Sequence, residues 1–261
     1  MKIFLDFGHG GNDSGATSNG LVEKNMTLVT GLECKKILEE HGVEIKASRL
    51  DDRAIGLSER AKMANTWGAE YFVSIHYNAG GGDGTEVIHS IYGGKGEVLA
   101  KAIVSAINKE TGQNLRPRAT YSRKGSDGKD YYAVIRETKM DAVIVECGFI
   151  DSGDRTLYDT IPEQEKMGKA IAYGILNYLG ISIKRSENKK YYVRTGDVAK
   201  GSYGIEIKGL ISKYFSDIDR IYVLEKNDMF YFETQYLSKE KAAEVVKRLS
   251  NGSLSATIIE E

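Results

Sequence analysis

Three apolar segments of this chain each carry a metal- or proton-binding side chain at or near their ends and then run into a glycine-containing turn. Ile3-Phe4-Leu5-Asp6-Phe7-Gly8-His9 ends in an imidazole, and so does the run from Ala69 to His76, which opens toward Gly80. Ala142-Val143-Ile144-Val145-Glu146-Cys147-Gly148 delivers a carboxylate in the same way. Such segments read as strands handing ligands to one site, and the residues between them follow a helical period. Strands are expected near 2–7, 43–48, 70–77, 85–92 and 141–147. Leu28, Leu32, Ile37 and Leu38 mark a helix closed by Gly42, residues 57–67 a second, Val98 to Ile107 a third, and 163–179 a fourth. The alternation predicts an α/β fold, a twisted and mostly parallel sheet flanked by helices.

A chain of 261 residues, 41% hydrophobic and 28% charged, can bury one α/β core and still build a small second module. Its formal charge of −1 gives no surface for a polyanion, which excludes nucleic acid as the expected partner. Cys34 and Cys147 are far apart and show no metal-binding spacing, so they read as buried free thiols of a reducing compartment. Neither a secretory leader nor a run of about 18 apolar residues is visible, so no membrane insertion is expected. The expectation is therefore a cytoplasmic protein that meets any extracellular substrate only after lysis. Residues 113–130 are polar, basic and rich in turn formers, which predicts a mobile loop beside a cleft.

Charge displaces apolar periodicity over 182–190, the expected linker between a first domain, 1–181, and a second, 191–261. Beyond it the pattern predicts a strand at 191–195, a helix at 203–215, strands at 220–225 and 229–236, a helix at 239–250 and a strand at 254–259. That order, βαββαβ, is a small ferredoxin-like unit.

Zinc accepts imidazole nitrogen and carboxylate oxygen, and a catalytic site uses three protein ligands and keeps the fourth position open. His9, Glu23 and His76 supply that set for one ion, and Glu146 is the carboxylate left to move a proton. Each has an ordinary rival. Glu23 alone would be a solvated surface charge, and only its place in the pattern promotes it. His41, beside Gly42, reads as a helix C-terminal cap, and His89 as a structural strand residue. Glu146, between Val145 and Cys147, would be costly to bury without a partner. Asn78 and Glu86 are candidates for lining the cleft or orienting the ligands.

Asp6 to Ala16, with its Gly8-His9-Gly10-Gly11 core, resembles the opening ligand loop of the zinc-dependent N-acetylmuramoyl-L-alanine amidases of the amidase type 3 family. Leu21-Val22-Glu23-Lys24-Asn25 resembles that family's glutamate-ligand segment. Ser48-Arg49-Leu50-Asp51-Asp52, Leu57-Ser58-Glu59-Arg60 and Ala64-Asn65 resemble its middle signature, Ser74 to Ala79 its second histidine segment, and Val145 to Ile150 the segment of its catalytic glutamate. The resemblance, over residues 1–180, implies hydrolysis of the amide joining N-acetylmuramic acid to L-alanine of the stem peptide. Peptidoglycan glycan and stem peptide would be the partners, and the family's compact members include phage endolysins and sporulation or autolytic amidases. The 108–140 stretch is too short for a large inhibitory plug, so an open cleft is expected.

The C-terminal region is similar to SPOR-type cell-wall-binding modules, on Tyr191-Tyr192-Val193-Arg194-Thr195-Gly196. Arg194 stands where that family usually has glutamine, and Val198 where it has an aromatic. Tyr192, Arg194, Tyr222, Phe230 and Phe232 are the candidate wall-binding residues, the aromatics as a sugar-stacking face. Two other functions compete with the amidase. A zinc carboxypeptidase would need an arginine for the terminal carboxylate, from among Arg49, Arg60, Arg118 and Arg123, and a non-catalytic wall binder would have no use for Glu146. The oligomeric state is left open.

Overall fold

The computed structural model describes residues 1–183, 191–199, 205–219, 221–226 and 229–260. The chain divides into two compact units, Met1–Lys184 and Arg185–Glu261. Most of the expected linker, 184–190, lies outside the described residues, as do residues 203–204 of an expected helix and residue 220 of an expected strand.

The first unit is built on a six-stranded sheet in the order β4-β1-β5-β8-β6-β7. These strands are β1 (Lys2–Phe7), β4 (Glu44–Ala47), β5 (Tyr71–Asn78), β6 (Thr85–His89), β7 (Leu115–Tyr121) and β8 (Asp141–Phe149). Two-residue strands β2 (Thr17–Ser18) and β3 (Leu21–Val22) form a separate antiparallel ribbon. β4, β1, β5 and β8 run parallel, and β6 and β7 run the other way. The central strands are buried on both faces, which is why they read as unbroken apolar runs.

Helices cover both faces. α1 (Glu23–Glu40), α3 (Lys95–Thr111) and α5 (Ile161–Leu179) enclose the larger core with Leu5, Val73, Val143, Ile103 and Ile171. α2 (Leu57–Trp67) and the short α4 (Ala133–Arg136) close the other face over Phe4, Phe72, Ile88 and Ile144. α5 begins with a capping box at Thr160 and Glu163. It meets α1 through Gly168, where an added Cβ would sit 2.2 Å from the Thr30 carbonyl oxygen. Cys34 and Cys147 are buried and free.

The expected mobile loop at 113–130 is corrected by the structure: its first part is the edge strand β7. Leu115, Pro117 and Arg118 are exposed there, so it lacks the apolar run of an interior strand; a proline and cations are what an unpaired edge tolerates. The strand expected at 85–92 ends at His89.

The second unit contains β9 (Tyr191–Thr195), β10 (Val198–Ala199), α6 (Ile205–Tyr214), β11 (Ile221–Lys226), β12 (Met229–Thr234), α7 (Lys239–Asn251) and β13 (Ala256–Glu260). β9 lies between β12 and β13, and β11 flanks β12, with every pairing antiparallel. This is the expected βαββαβ arrangement with one added short strand. Its core holds Val193, Phe215, Phe232, Val245 and Leu249. Among the described residues no helix is long and apolar enough to cross a membrane.

Candidate metal centre and proton-transfer site

The C-terminal ends of β1, β5 and β8 open on one side of the sheet, the side where α/β folds place their sites. His9 follows β1 in the left-handed region, at φ 60°, and Glu23 opens the first turn of α1. His76 lies near the end of β5, paired in register with Glu146 on β8. Just past that pair the register shifts between His76 and Asn78.

The structure brings three of the expected ligands together. Glu23, 3% exposed, accepts from both imidazoles: Oε2 lies 3.0 Å from His9 Nε2 and Oε1 3.0 Å from His76 Nδ1. Main-chain N–H groups of Ala16 and Tyr77 complete the carboxylate's bonding at 2.8 and 3.0 Å. His9 Nδ1 faces Asp13 Oδ2 at 2.9 Å, so a carboxylate orients the ring from behind. One donor atom from each of His9, Glu23 and His76 lies within 4.8 Å of the others.

Charge follows from this geometry. Burial alone would raise Glu23, but hydrogen bonds from His76 and His9 hold it far below the usual carboxylate range. Burial would depress His76, yet Glu23 outweighs it and lifts the imidazole to about 9. His9 is raised for the same reason. Protons therefore stand where a cation would. Two imidazole nitrogens and one carboxylate oxygen are a donor set that zinc accepts.

Glu146 differs from Glu23. Its Oε2 is the one buried side-chain oxygen without a hydrogen-bond partner among the described residues. Burial pushes its carboxyl up to about 7, with His76 opposing and Glu23 and Glu86 adding to the rise. A carboxyl held near 7 can both take up and give up a proton at neutral pH.

Glu86 is the cross-strand partner of Glu146 on β6. It accepts from Asn78 Nδ2 at 3.1 Å and from the Tyr121 hydroxyl at 3.4 Å, and pairs with Arg116 Nε at 2.7 Å. Asn78 and Glu86 thus brace each other next to Glu146. Arg116, which the sequence reading missed, also lies over the Phe149 ring at 4.8 Å. His41 Nδ1 bonds the Ile37 carbonyl at the end of α1, and His89 Nδ1 the Ser90 carbonyl, so neither joins the centre.

In the second unit, alternation puts Tyr192, Arg194, Tyr222, Tyr231 and Glu233 on the face turned away from the core. Arg194 pairs with Glu233 at 2.6 Å, with its guanidinium 5.5 Å from the Tyr231 ring. Phe232 is 1% exposed in the core, so its expected place in a sugar-stacking face is corrected. Phe230 shares its side of β12, and Tyr231 is the aromatic that the period of two puts outside.

Residues 3–177 match the Amidase_3 family model, described as N-acetylmuramoyl-L-alanine amidase. The chain belongs to this amidase family. The N-acetylmuramoyl-L-alanine amidase CwlM of Bacillus licheniformis is 40% identical over 154 residues, 58% of each chain. The sporulation-specific N-acetylmuramoyl-L-alanine amidase of Bacillus subtilis (strain 168) is 36% identical over 199 residues, 75% of this chain and 74% of that one. The match therefore spans a little over half of the first relative and about three quarters of the second. Among solved structures, the N-acetylmuramoyl-L-alanine amidase AmiC2 of Nostoc punctiforme superposes with a TM-score of 0.61 at 32% identity, covering 69% of this chain and 97% of that one. The six-stranded sheet and its helices are thus the amidase fold, and the family model's match ends at residue 177, before the second unit begins.

Proposed function

We propose that this chain is a zinc-dependent N-acetylmuramoyl-L-alanine amidase that cuts the amide between N-acetylmuramic acid and L-alanine of peptidoglycan, leaving a peptide-free glycan strand. The observation that carries the reading is the convergence of His9, Glu23 and His76 beside Glu146, whose Oε2 is buried without a partner among the described residues. The family match and the amidase relatives support the substrate.

When bound, zinc supplies Lewis acidity, making water nucleophilic near neutral pH and polarising the carbonyl under attack. His9, Glu23 and His76 would hold the ion, with Asp13 fixing the His9 ring. Glu146 takes the proton of the attacking water and returns it to the leaving L-alanine amine. Asn78, Glu86 and Arg116 form the wall along which the stem peptide lies.

A carboxypeptidase is disfavoured by what its candidate arginines do. Arg49 and Arg60 are buried on main-chain carbonyls and Asp6, Arg118 is exposed on the edge strand, and Arg123 is stacked on Tyr131. For the second unit we propose a SPOR-like wall-binding module that tethers the enzyme to peptide-free glycan through the face bearing Tyr192, Arg194, Tyr222 and Tyr231.

For deployment we favour lysis, as in an endolysin. The sporulation-specific relative favours a second reading, release by a mother cell. Appearance of the protein on phage induction rather than on starvation separates the two.

Digestion of purified peptidoglycan by zinc-loaded protein and by Glu146→Gln tests the activity. New L-alanine amino termini without new reducing ends, absent from the variant, are expected. Reducing ends would mean a glycosidase, and released C-terminal amino acids a carboxypeptidase.

A further inference from the structure

Beyond the ligands and Glu146, two buried arginines donate to the main chain of the ligand segments. Arg49 follows β4 and is 2% exposed; Arg60 lies in α2 and is 3% exposed. A buried guanidinium is costly unless its donors are met, and these are met mainly by main-chain carbonyls of the ligand segments.

Arg49 Nε donates to the Phe7 carbonyl at 3.0 Å, and Nη2 to the carbonyls of Gly8 and Lys24 at 3.0 and 2.6 Å and to Thr27 Oγ1 at 3.0 Å. Arg60 Nη1 donates to Asp6 Oδ1 at 2.6 Å and the Phe7 carbonyl at 2.8 Å, and Nη2 to the His9 carbonyl at 2.8 Å. Three consecutive carbonyls, Phe7 to His9, are therefore held by guanidinium groups. They belong to a turn that needs holding, because His9 sits at φ 60°, a conformation that costs a residue with a Cβ about 1–2 kcal/mol.

Each arginine ties the Phe7–His9 turn to a different ligand. Arg49 crosses to Lys24 and Thr27 in the first turns of α1, next to Glu23. Arg60 crosses to Asp6, whose Oδ2 accepts from Ser74 Oγ at 2.7 Å, two residues before His76 on β5. A lysine ammonium, being a point donor, cannot span either set of acceptors as the planar fork does.

We propose that Arg49 and Arg60 are positioning residues that set the metal affinity of the centre, by fixing the His9 turn against Glu23 on one side and against His76 on the other. The proposal rests on the zinc reading above. Its rival is a purely structural role, in which these arginines stabilise the fold and leave ligand geometry alone.

Zinc affinity separates the two. Full-length wild type, Arg49→Lys, Arg60→Lys and the core control Ile171→Val are titrated with zinc against a chromogenic chelator, and the thermal unfolding of each metal-free protein is recorded. Both lysine variants are expected to bind zinc about 10- to 100-fold more weakly, the range for loss of a group supporting a ligand, while Ile171→Val unfolds earlier with wild-type affinity. Lysine variants that unfold earlier yet keep wild-type affinity would overturn the proposal. Should either fail to fold, Thr27→Val and Ser74→Ala remove one strut from each arm without removing a charge. Weaker zinc binding is expected for both, and unchanged affinity sinks the idea. A wild type that binds no zinc would remove the metal reading and this inference with it, an outcome distinct from a wild type that binds with variants that match it.

Discussion

Glu23 and His76 hold each other in opposite charge states across 3.0 Å between Oε1 and Nδ1. Glu23 is kept far below its ordinary range, so its contribution to stability is whole above about pH 4.5 and is lost as pH falls. His76 is raised to about 9, so its contribution is whole below about pH 6.5 and is lost as pH rises through 9. Metal-free protein should therefore lose on the order of 2 kcal/mol, roughly 5 °C in Tm, between pH 6.5 and 9. With zinc present the trend reverses, because both imidazoles must give up protons to bind it. Thermal scans at half-unit pH steps, with and without chelator, measure both slopes, and His76→Gln should flatten the metal-free one.

Asp13 tests orientation separately from ligation. Its carboxylate meets His9 Nδ1 at 2.9 Å and also accepts from the Gly15 N–H at 3.1 Å. Asp13→Asn keeps the shape and removes the charge. Zinc should bind about 10- to 100-fold more weakly, with Tm of the metal-free protein little changed. Equal affinity in a chelator competition would mean that His9 is oriented by its backbone alone.

Gly8 tests how closely the ligands are packed. A Cβ there would stand 2.4 Å from His76 Cε1, inside any tolerated contact. Gly8→Ala must displace the imidazole and should abolish zinc binding while the protein still folds. Gly56→Ala is its control, since nothing lies within 4 Å of that position. Zinc stoichiometry by atomic absorption distinguishes the two variants.

The fold was largely legible because buried parallel strands leave unbroken apolar runs and helices leave their own period. Within the site, His9, His76 and Glu146 announced themselves by ending or nearly ending such runs. Glu23 did not, because it begins a helix whose outward character hides the one carboxylate turned inward. Arg116 and the strand around it were missed for a related reason: an edge strand with proline and cations has the composition of a loop. The roles of Arg49 and Arg60 were illegible, since a guanidinium's acceptors are main-chain oxygens that carry no sequence signal. Phe232 was misassigned to a binding face because the register of a small sheet is not set by its aromatics alone.

The second unit offers the test of that register. Phe232 is 1% exposed and its ring lies 5.9 Å from that of Phe215, so Phe232→Ala should cost about 3–5 kcal/mol, enough to unfold a unit of this size. Tyr222 is 50% exposed on the opposite face, and Tyr222→Ala should leave Tm within about 2–4 °C. If that face holds glycan, Tyr222→Ala and Tyr231→Ala in a Glu146→Gln background should each weaken sedimentation with peptide-free glycan strands several-fold, since a stacked aromatic is worth roughly 1 kcal/mol. Sedimentation unchanged by either tyrosine, with Tm also unchanged, would move the ligand off this face. Arg194 then decides polarity. It is paired with Glu233 and lies near two tyrosine rings, so Arg194→Gln should loosen the face without unfolding the unit, and its effect on glycan binding reports whether the guanidinium or the rings do the recognising.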